Sequence, residues 1–361
     1  MWPYLLMFLI PATAALAGGD RPISRMPGRR RTRRLSMPWV FATAIFALMV
    51  GLRNEVGGDW FNYLTLLETV SILPLFEAIR EPDPGYYLLT LISAELGWGV
   101  YIVNLFCGLV FALGLSAFCR GLPRPWLALA VATPYLVIVV AMGYTRQAVA
   151  LSLAMLGLRA LQRGATSWFV LCVLLGATFH KSAVLLLPIA ALAGSRNRYW
   201  NVLWISVVAF GAYVLLLEES VGPMYVNYVE AEYQSEGAWV RGLMNALPAT
   251  LLLLRWKNFR FTTDEKGLWF WFAVISMALL GVLAVTSASA AVDRLALYML
   301  PLQLVVFSHL PEVLGSQQGK NTAWVTAVVM YYAAVLLVWM NFATHAEYWK
   351  PYRFYPLDRL L

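Results

Sequence analysis

The sequence predicts an all-α integral membrane protein of about twelve transmembrane helices, several short or broken, with an externally open cavity. Three observations carry this. Of 361 residues, 61% are hydrophobic and only 13% are charged, against about 25% charged in an ordinary soluble domain. The mean hydropathy is +0.67. Apolar runs recur along the whole chain at lengths near the roughly 17–25 residues that a bilayer crossing requires. No stretch has enough mixed polar sequence to build a soluble domain, so residues 1–361 are expected to form a single polytopic membrane domain.

The first run, Met1 to Ala17, ends in Ala15-Leu16-Ala17 as a secretory leader would. No basic residue precedes it, however, and arginines crowd the stretch from Arg21 to Arg34 that follows, which predicts a retained helix over 2–17 with its N-terminus outside. Further helices are expected near 37–52, 98–118, 126–142, 145–162, 166–179, 182–194, 199–217, 241–254, 267–285, 295–310 and 323–341. Several of these runs are shorter than a full span, which points to tilted or broken helices around an internal cavity. Gly85–Leu96 is apolar but short and holds Glu95, as a re-entrant or interfacial piece would. Two segments, 53–84 and 218–240, are long enough to be more than connectors. Both mix aromatic and acidic residues and are expected to be external, lying over a cavity mouth.

Charge supports this topology. The net charge is +8, yet the basic residues cluster in short segments between apolar runs: Arg21–Arg34, Arg120/Arg124, Arg159/Arg163, Arg196/Arg198, Arg255–Lys266 and Lys320. That is the positive-inside pattern, not a nucleic-acid surface. The acidic residues Glu218, Glu219, Glu230, Glu232 and Glu236 fall on the opposite side. Cys107, Cys119 and Cys172 lie inside apolar runs, which argues against a disulfide framework and against a cysteine metal site. Metal-ligand histidine spacing, a Walker loop and a Gly-x-Ser-x-Gly elbow are all missing from the sequence.

With the inside charges set aside, the external basic residues at helix ends remain: Arg53, Arg146, Lys181 and Arg294, with His180 beside Lys181. Arg146 follows Tyr144-Thr145 at the start of one expected helix, His180-Lys181-Ser182 opens another, and Asp293-Arg294 opens a third. Free N–H groups and the positive dipole end suit such positions to anions, and arginine adds a fork that matches phosphate. A snorkelling or ion-paired interfacial role is the alternative for each residue taken singly. The densest polar cluster runs from Arg53 to Tyr63. There Gly57-Gly58 permits a tight turn carrying Arg53 and Asp59 toward one cavity, while Trp60 and Tyr63 offer flat faces for a sugar ring. An interfacial aromatic belt is the other reading of that cluster. His180 could take a proton from a sugar hydroxyl or donate a hydrogen bond to a phosphate. Small residues at Ala148 and Ser152, and at Ala150 and Ala154, allow a neighbouring helix to approach closely.

Four stretches in order, Arg53-Asn54-Glu55-Val56-Gly57-Gly58-Asp59-Trp60 with Tyr63, Tyr144-Thr145-Arg146-Gln147-Ala148-Val149-Ala150, Phe179-His180-Lys181-Ser182 and Asp293-Arg294-Leu295-Ala296-Leu297-Tyr298, resemble the EpsG family of Wzy-type, O-antigen-polymerase-like polysaccharide polymerases. The resemblance spans roughly residues 37–310. It implies a bacterial inner-membrane glycosyltransferase with its site facing the exterior, joining oligosaccharide repeat units carried on undecaprenyl diphosphate to make exopolysaccharide or O-antigen. No metal, nucleotide sugar or other cofactor is implied. Its implied partners are the lipid-linked oligosaccharide, membrane lipids and a chain-length regulator protein, with no nucleic acid. On this reading Arg53, Arg146, Arg294 and Lys181 hold the diphosphate, Trp60, Tyr63 and Tyr144 contact sugar, and Asp59 and His180 are the catalytic candidates. Two other classes compete. A lipid-linked glycan flippase or transporter would show arginines in both membrane halves and inverted repeats, and a membrane acyltransferase modifying polysaccharide would place a histidine near mid-membrane.

Overall fold

The structure is a computed structural model that describes residues 1–18, 36–78, 80–193, 198–216, 235, 237–286, 288–316 and 319–358. The arginine-rich stretch 21–34 and most of the expected external segment 218–240, its glutamates included, lie outside the described residues. The described chain is all helical, with 17 α-helices, four short 3-10 segments and one π-helical segment. Gly99–Cys119, Thr263–Leu283, Ser289–Leu314 and Thr322–Phe342 are long and apolar enough to cross a membrane, and seven further apolar helices are shorter. Large apolar side chains such as Phe210, Leu215 and Phe342 face outward. A soluble surface would not carry so many, and lipid would accept them. These helices are consistent with a multi-pass membrane protein.

The residues group into two compact units. The first comprises Met1–Ile79, Tyr87–Ser152 and Phe307–Leu361. Its centre is the packing of helix Met37–Gly51 on helix Gly99–Cys119, which glycine makes possible. A Cβ on Gly51 would come within 2.5 Å of the Leu105 Cα, and one on Gly108 would meet the Ala47 carbonyl at 3.0 Å. Thr43 and Ser116 share a 2.7 Å hydrogen bond across the same seam, so the polar groups that such close packing brings together are satisfied. Ser152 packs against Gly114 in the same manner and donates to the Val110 carbonyl at 2.9 Å, as the small-residue spacing predicts. Helix Trp2–Leu16 lies against helix Pro125–Ala132.

Pro125 sits in the first turn of its helix, where its missing N–H costs nothing. Pro134 falls where an N–H is needed, and from Thr133 to Ala141 the chain adopts π-helical winding. The carbonyl of Ile138, inside that segment, accepts a 2.8 Å hydrogen bond from the Trp349 indole. The next helix, Thr145–Leu161, starts after a short break.

The second unit comprises Arg80–Tyr86 and Leu153–Val306. Its main contact is between helices Ala238–Leu254 and Thr263–Leu283. The latter begins four residues ahead of the expected position 267. Thr262 accepts from the Glu265 N–H while the Glu265 carboxylate accepts from the Thr262 N–H, a reciprocal cap that extends the helix into polar sequence. The expected helix 295–310 needs a larger correction. The chain forms Ser289–Ala296, a 3-10 turn Leu297–Met299, and then Leu300–Leu314. The expected helix 182–194 is likewise a 3-10 segment, Lys181–Leu186, running into helix Leu187–Ala193.

Candidate functional site

In the first unit, six of the sequence-predicted residues share one neighbourhood: Arg53, Asp59, Trp60, Tyr63, Tyr144 and Arg146. Helix Met37–Gly51 ends just before Arg53, which is fully buried. Its guanidinium donates to the Val50 carbonyl at 2.5 Å, the Val56 carbonyl at 3.0 Å and Thr145 Oγ1 at 2.8 Å, and it lies 5.6 Å from the centre of the Trp60 ring. Arg53 thus folds the turn after helix Met37–Gly51 onto the start of helix Thr145–Leu161. Gly57 completes the turn. Its φ of +104° and the Met142 carbonyl, only 2.1 Å from where a Cβ would sit, admit no side chain. Gly58, expected to share that task, is exposed and has ordinary room.

Asp59 caps helix Trp60–Ser71 in position, half-buried, with Asn62 Nδ2 3.4 Å from its carboxylate. One turn on, Tyr63 is buried and shares a hydrogen bond with Thr145. Burial pushes the Tyr63 phenol up to about 12, with Asp59 adding to the rise and Arg146 and Arg53 opposing it. Those couplings place a carboxylate and two guanidinium groups within electrostatic reach of one phenol. Arg146 is half-buried in the first turn of a 17-residue helix, beside half-buried Tyr144. Cation, dipole end and N–H groups therefore coincide there, as the sequence predicts. Trp60 is almost entirely buried, its ring centre 5.7 Å from that of Tyr101, so it is packed inside and offers no open face.

Sequence reasoning passed over the C-terminal strap that braces this site. Residues 343–358 return to the turn after helix Met37–Gly51. Arg53 and Phe354 form an antiparallel bridge, with Asn54 N–H donating to the Arg353 carbonyl at 3.0 Å and Tyr355 N–H to the Leu52 carbonyl at 2.9 Å. Gly57 N–H donates to the Tyr348 carbonyl at 2.9 Å. Arg353 pairs with Glu55, and Tyr355 stacks on Tyr101 at 3.6 Å. Trp349 packs so closely on Gly143 that a Cβ there would lie 2.7 Å from the indole. The only available signal was the density of aromatic and charged residues after the last apolar run.

The second unit holds the remaining candidates. Asp83 is buried and accepts the Lys181 N–H at 3.0 Å, while Gly85 N–H donates to the Thr178 carbonyl at 2.8 Å, docking residues 83–85 on the turn that leads into Lys181–Leu186. His180 and Lys181 are both half-exposed, and His180 Nδ1 is 2.7 Å from Ser182 Oγ. Arg294 departs from expectation. It is exposed and lies in the last turn of helix Ser289–Ala296, an end where the dipole favours a cation, and not at a helix start. Its neighbour Asp293 is held by Arg241 at 2.5 and 2.8 Å. Ser235 joins them through its hydroxyl, 3.1 Å from Asp293.

Among the described residues no group of three or more His, Cys, Asp or Glu side chains is placed to hold a metal ion. The EpsG family model matches residues 36–354, nearly the whole chain. Neither a curated protein nor a solved structure matches it.

Proposed function

The chain belongs to the EpsG family, which is linked to polysaccharide biosynthesis, and from that membership we propose that it polymerises lipid-linked oligosaccharide repeat units at the external face of a bacterial inner membrane. The donor is a growing glycan on undecaprenyl diphosphate, and the acceptor is the sugar end of another lipid-linked unit. The reaction breaks the bond between the donor's anomeric carbon and the diphosphate oxygen and forms a bond from that carbon to an acceptor hydroxyl oxygen. The hydroxyl proton is lost, and undecaprenyl diphosphate leaves with the electron pair.

The observation that carries this reading is the placement of Arg146 at a helix N-terminus within electrostatic reach of Tyr63, a phenol that Asp59 also reaches. Charge grows on the diphosphate as the bond breaks, and a fixed cation with backbone N–H groups stabilises that charge more in the transition state than in the ground state. Arg53, being buried, acts through Thr145 as a positioning residue for Arg146. Asp59 supplies a carboxylate able to orient an acceptor hydroxyl or take its proton. Tyr144 contacts sugar, with the buried rings of Tyr63 and Trp60 packed beneath the site. Lys181, His180 and Arg294 are further proposed contacts to anionic parts of the same class of substrate. A chain-length regulator is a proposed partner.

Deletion in the host followed by gel analysis of surface glycan tests this reading. Single repeat units without a ladder are the expected outcome. An unaltered ladder, or complete loss of exported repeat units as for a flippase, would contradict it.

A further inference from the structure

Trp60 and Tyr63, the rings that the sequence offers to a sugar, are both buried, but in the same unit the C-terminal strap carries flat rings that are open. Residues Thr344–Trp349 form a 3-10 turn, in which side chains three apart lie on one side. Burial follows that period. Ala346 and Trp349 are buried, while His345 and Tyr348 are exposed, Tyr348 at 46%. The His345 and Tyr348 ring centres are 6.0 Å apart with their planes tilted by 31°, so the two rings share one outward face.

Trp349 fixes where that face sits. Its indole donates to the Ile138 carbonyl at 2.8 Å, and it meets Gly143 and Gly58 so closely that a Cβ on each would lie 2.7 and 3.8 Å from the ring. Those glycines directly precede Tyr144 and Asp59. The strap is thereby seated against both segments that carry the proposed site. Gly57 N–H donates to the Tyr348 carbonyl at 2.9 Å and Asn54 N–H to the Arg353 carbonyl at 3.0 Å, so Glu55 lies between two attachments to the strap. Glu55 has φ +50°, a left-handed backbone that a non-glycine residue adopts at a cost. Its carboxylate pairs with Arg353 in the open, where an ion pair adds little to stability and does not offset that cost.

We propose that Tyr348 and His345, with the adjoining Glu55–Arg353 pair, form the platform that binds the terminal sugar of the acceptor glycan. A sugar ring has an apolar face of C–H groups and a rim of hydroxyls. The open Tyr348 ring matches the face, and a carboxylate beside a guanidinium offers acceptors and donors to the rim. Because the pair cancels its own charge, the surface suits a neutral glycan better than a phosphate. The inference rests on the polymerase reading for the sugar's role as acceptor, but not for sugar binding itself.

The test uses the full chain purified in detergent. The probe is the host glycan's single repeat unit, freed from its lipid by mild acid, and binding is read by saturation-transfer NMR. Wild type should saturate the sugar protons. Tyr348→Ala should weaken binding about tenfold through loss of the stacking face, while Tyr348→Phe stays within about threefold. Tyr348→Ala leaves the backbone carbonyl that holds Gly57, so the strap should remain equally protected from protease. Glu55→Gln, on the other side of the turn, should also weaken binding. Absence of sugar saturation in wild type, or equal binding by wild type, Tyr348→Ala and Glu55→Gln, would overturn the proposal and leave Tyr348 an interfacial aromatic residue. In a polymerisation assay Tyr348→Ala should raise the acceptor KM about tenfold with kcat unchanged, as for loss of uniform binding. Binding lost in Tyr348→Ala, with no polymerisation by wild type, would support the platform and contradict the polymerase reading. Polymerisation by wild type with sugar binding indifferent to Tyr348→Ala would do the reverse.

Discussion

Replacing Arg53 with methionine keeps an unbranched side chain in this buried position but removes every side-chain donor. Two acceptors, the Val50 and Val56 carbonyls, lose this partner, while Thr145 Oγ1 loses it but keeps its hydrogen bond with Tyr63. A buried polar group left unsatisfied costs about 1–3 kcal/mol, so two of them cost about 2–6 kcal/mol. Removing a buried cation relieves its own desolvation penalty, which offsets part of that loss. A net destabilisation of about 2–4 kcal/mol follows, concentrated where residues 52–57 pair with the C-terminal strap. Thermal unfolding of the purified protein in detergent should shift down, and limited proteolysis should release the strap first, cutting within 343–358. Arg53→Lys keeps the charge but not the three-way geometry and should fall between. If Arg53→Met melts at the wild-type temperature with the strap equally protected, Arg53 is not the brace described above.

Asp59→Asn, if Asp59 is the acceptor's base, should lower polymerisation by about 10²–10⁴-fold without loss of protein from the membrane. A wild-type ladder would remove that role and turn attention to Glu55, which is exposed and paired with Arg353. The Tyr63 phenol is held up near 12 in the fold against 10.0 for an ordinary tyrosine. Between those values the unfolded chain loses a proton that the folded chain keeps, so this group makes stability fall as pH rises from 10 to 12. Tyr63→Phe should flatten that slope in alkaline denaturation, and an unchanged slope would contradict the burial argument. For orientation, Glu68→Cys should be labelled by an impermeant thiol reagent in intact cells and Gly121→Cys should be shielded, in a Cys172→Ser background. The reverse pattern would move the site to the cytoplasmic side.

Helix positions were largely legible in the sequence because bilayer-length apolar runs leave few alternatives: Trp2–Leu16, Met37–Gly51, Gly99–Cys119 and Thr322–Phe342 end within a residue or two of the apolar pattern. The start of Thr263–Leu283 was mistaken because its reciprocal cap lies in polar sequence outside that pattern. Ser289–Ala296 was missed because eight mixed residues make too short a period to read, and with it went the placement of Arg294 at a helix start. Within the site, the nearness of Arg53, Asp59, Tyr63 and Arg146 could be anticipated from the Gly turn and the helix start. The burial of Arg53 could not, since it depends on Thr145 and on the strap, partners about 90 and 300 residues away. The strap shows no helical or alternating period, and its function is expressed in long-range hydrogen bonds, an ion pair and ring contacts.

The most direct test reconstitutes the purified protein with undecaprenyl-diphosphate-linked repeat units and compares wild type with Arg146→Ala. Loss of a charge-assisted contact that strengthens as the diphosphate leaves should raise the barrier by about 3–4 kcal/mol, a hundredfold or more in rate. Arg146→Lys should recover only part of it, because an ammonium lacks the two-pronged geometry. The expected result is a ladder from wild type, single units from Arg146→Ala and short chains from Arg146→Lys. Polymerisation by Arg146→Ala at the wild-type rate would contradict the diphosphate site and leave Arg146 an interfacial anchor.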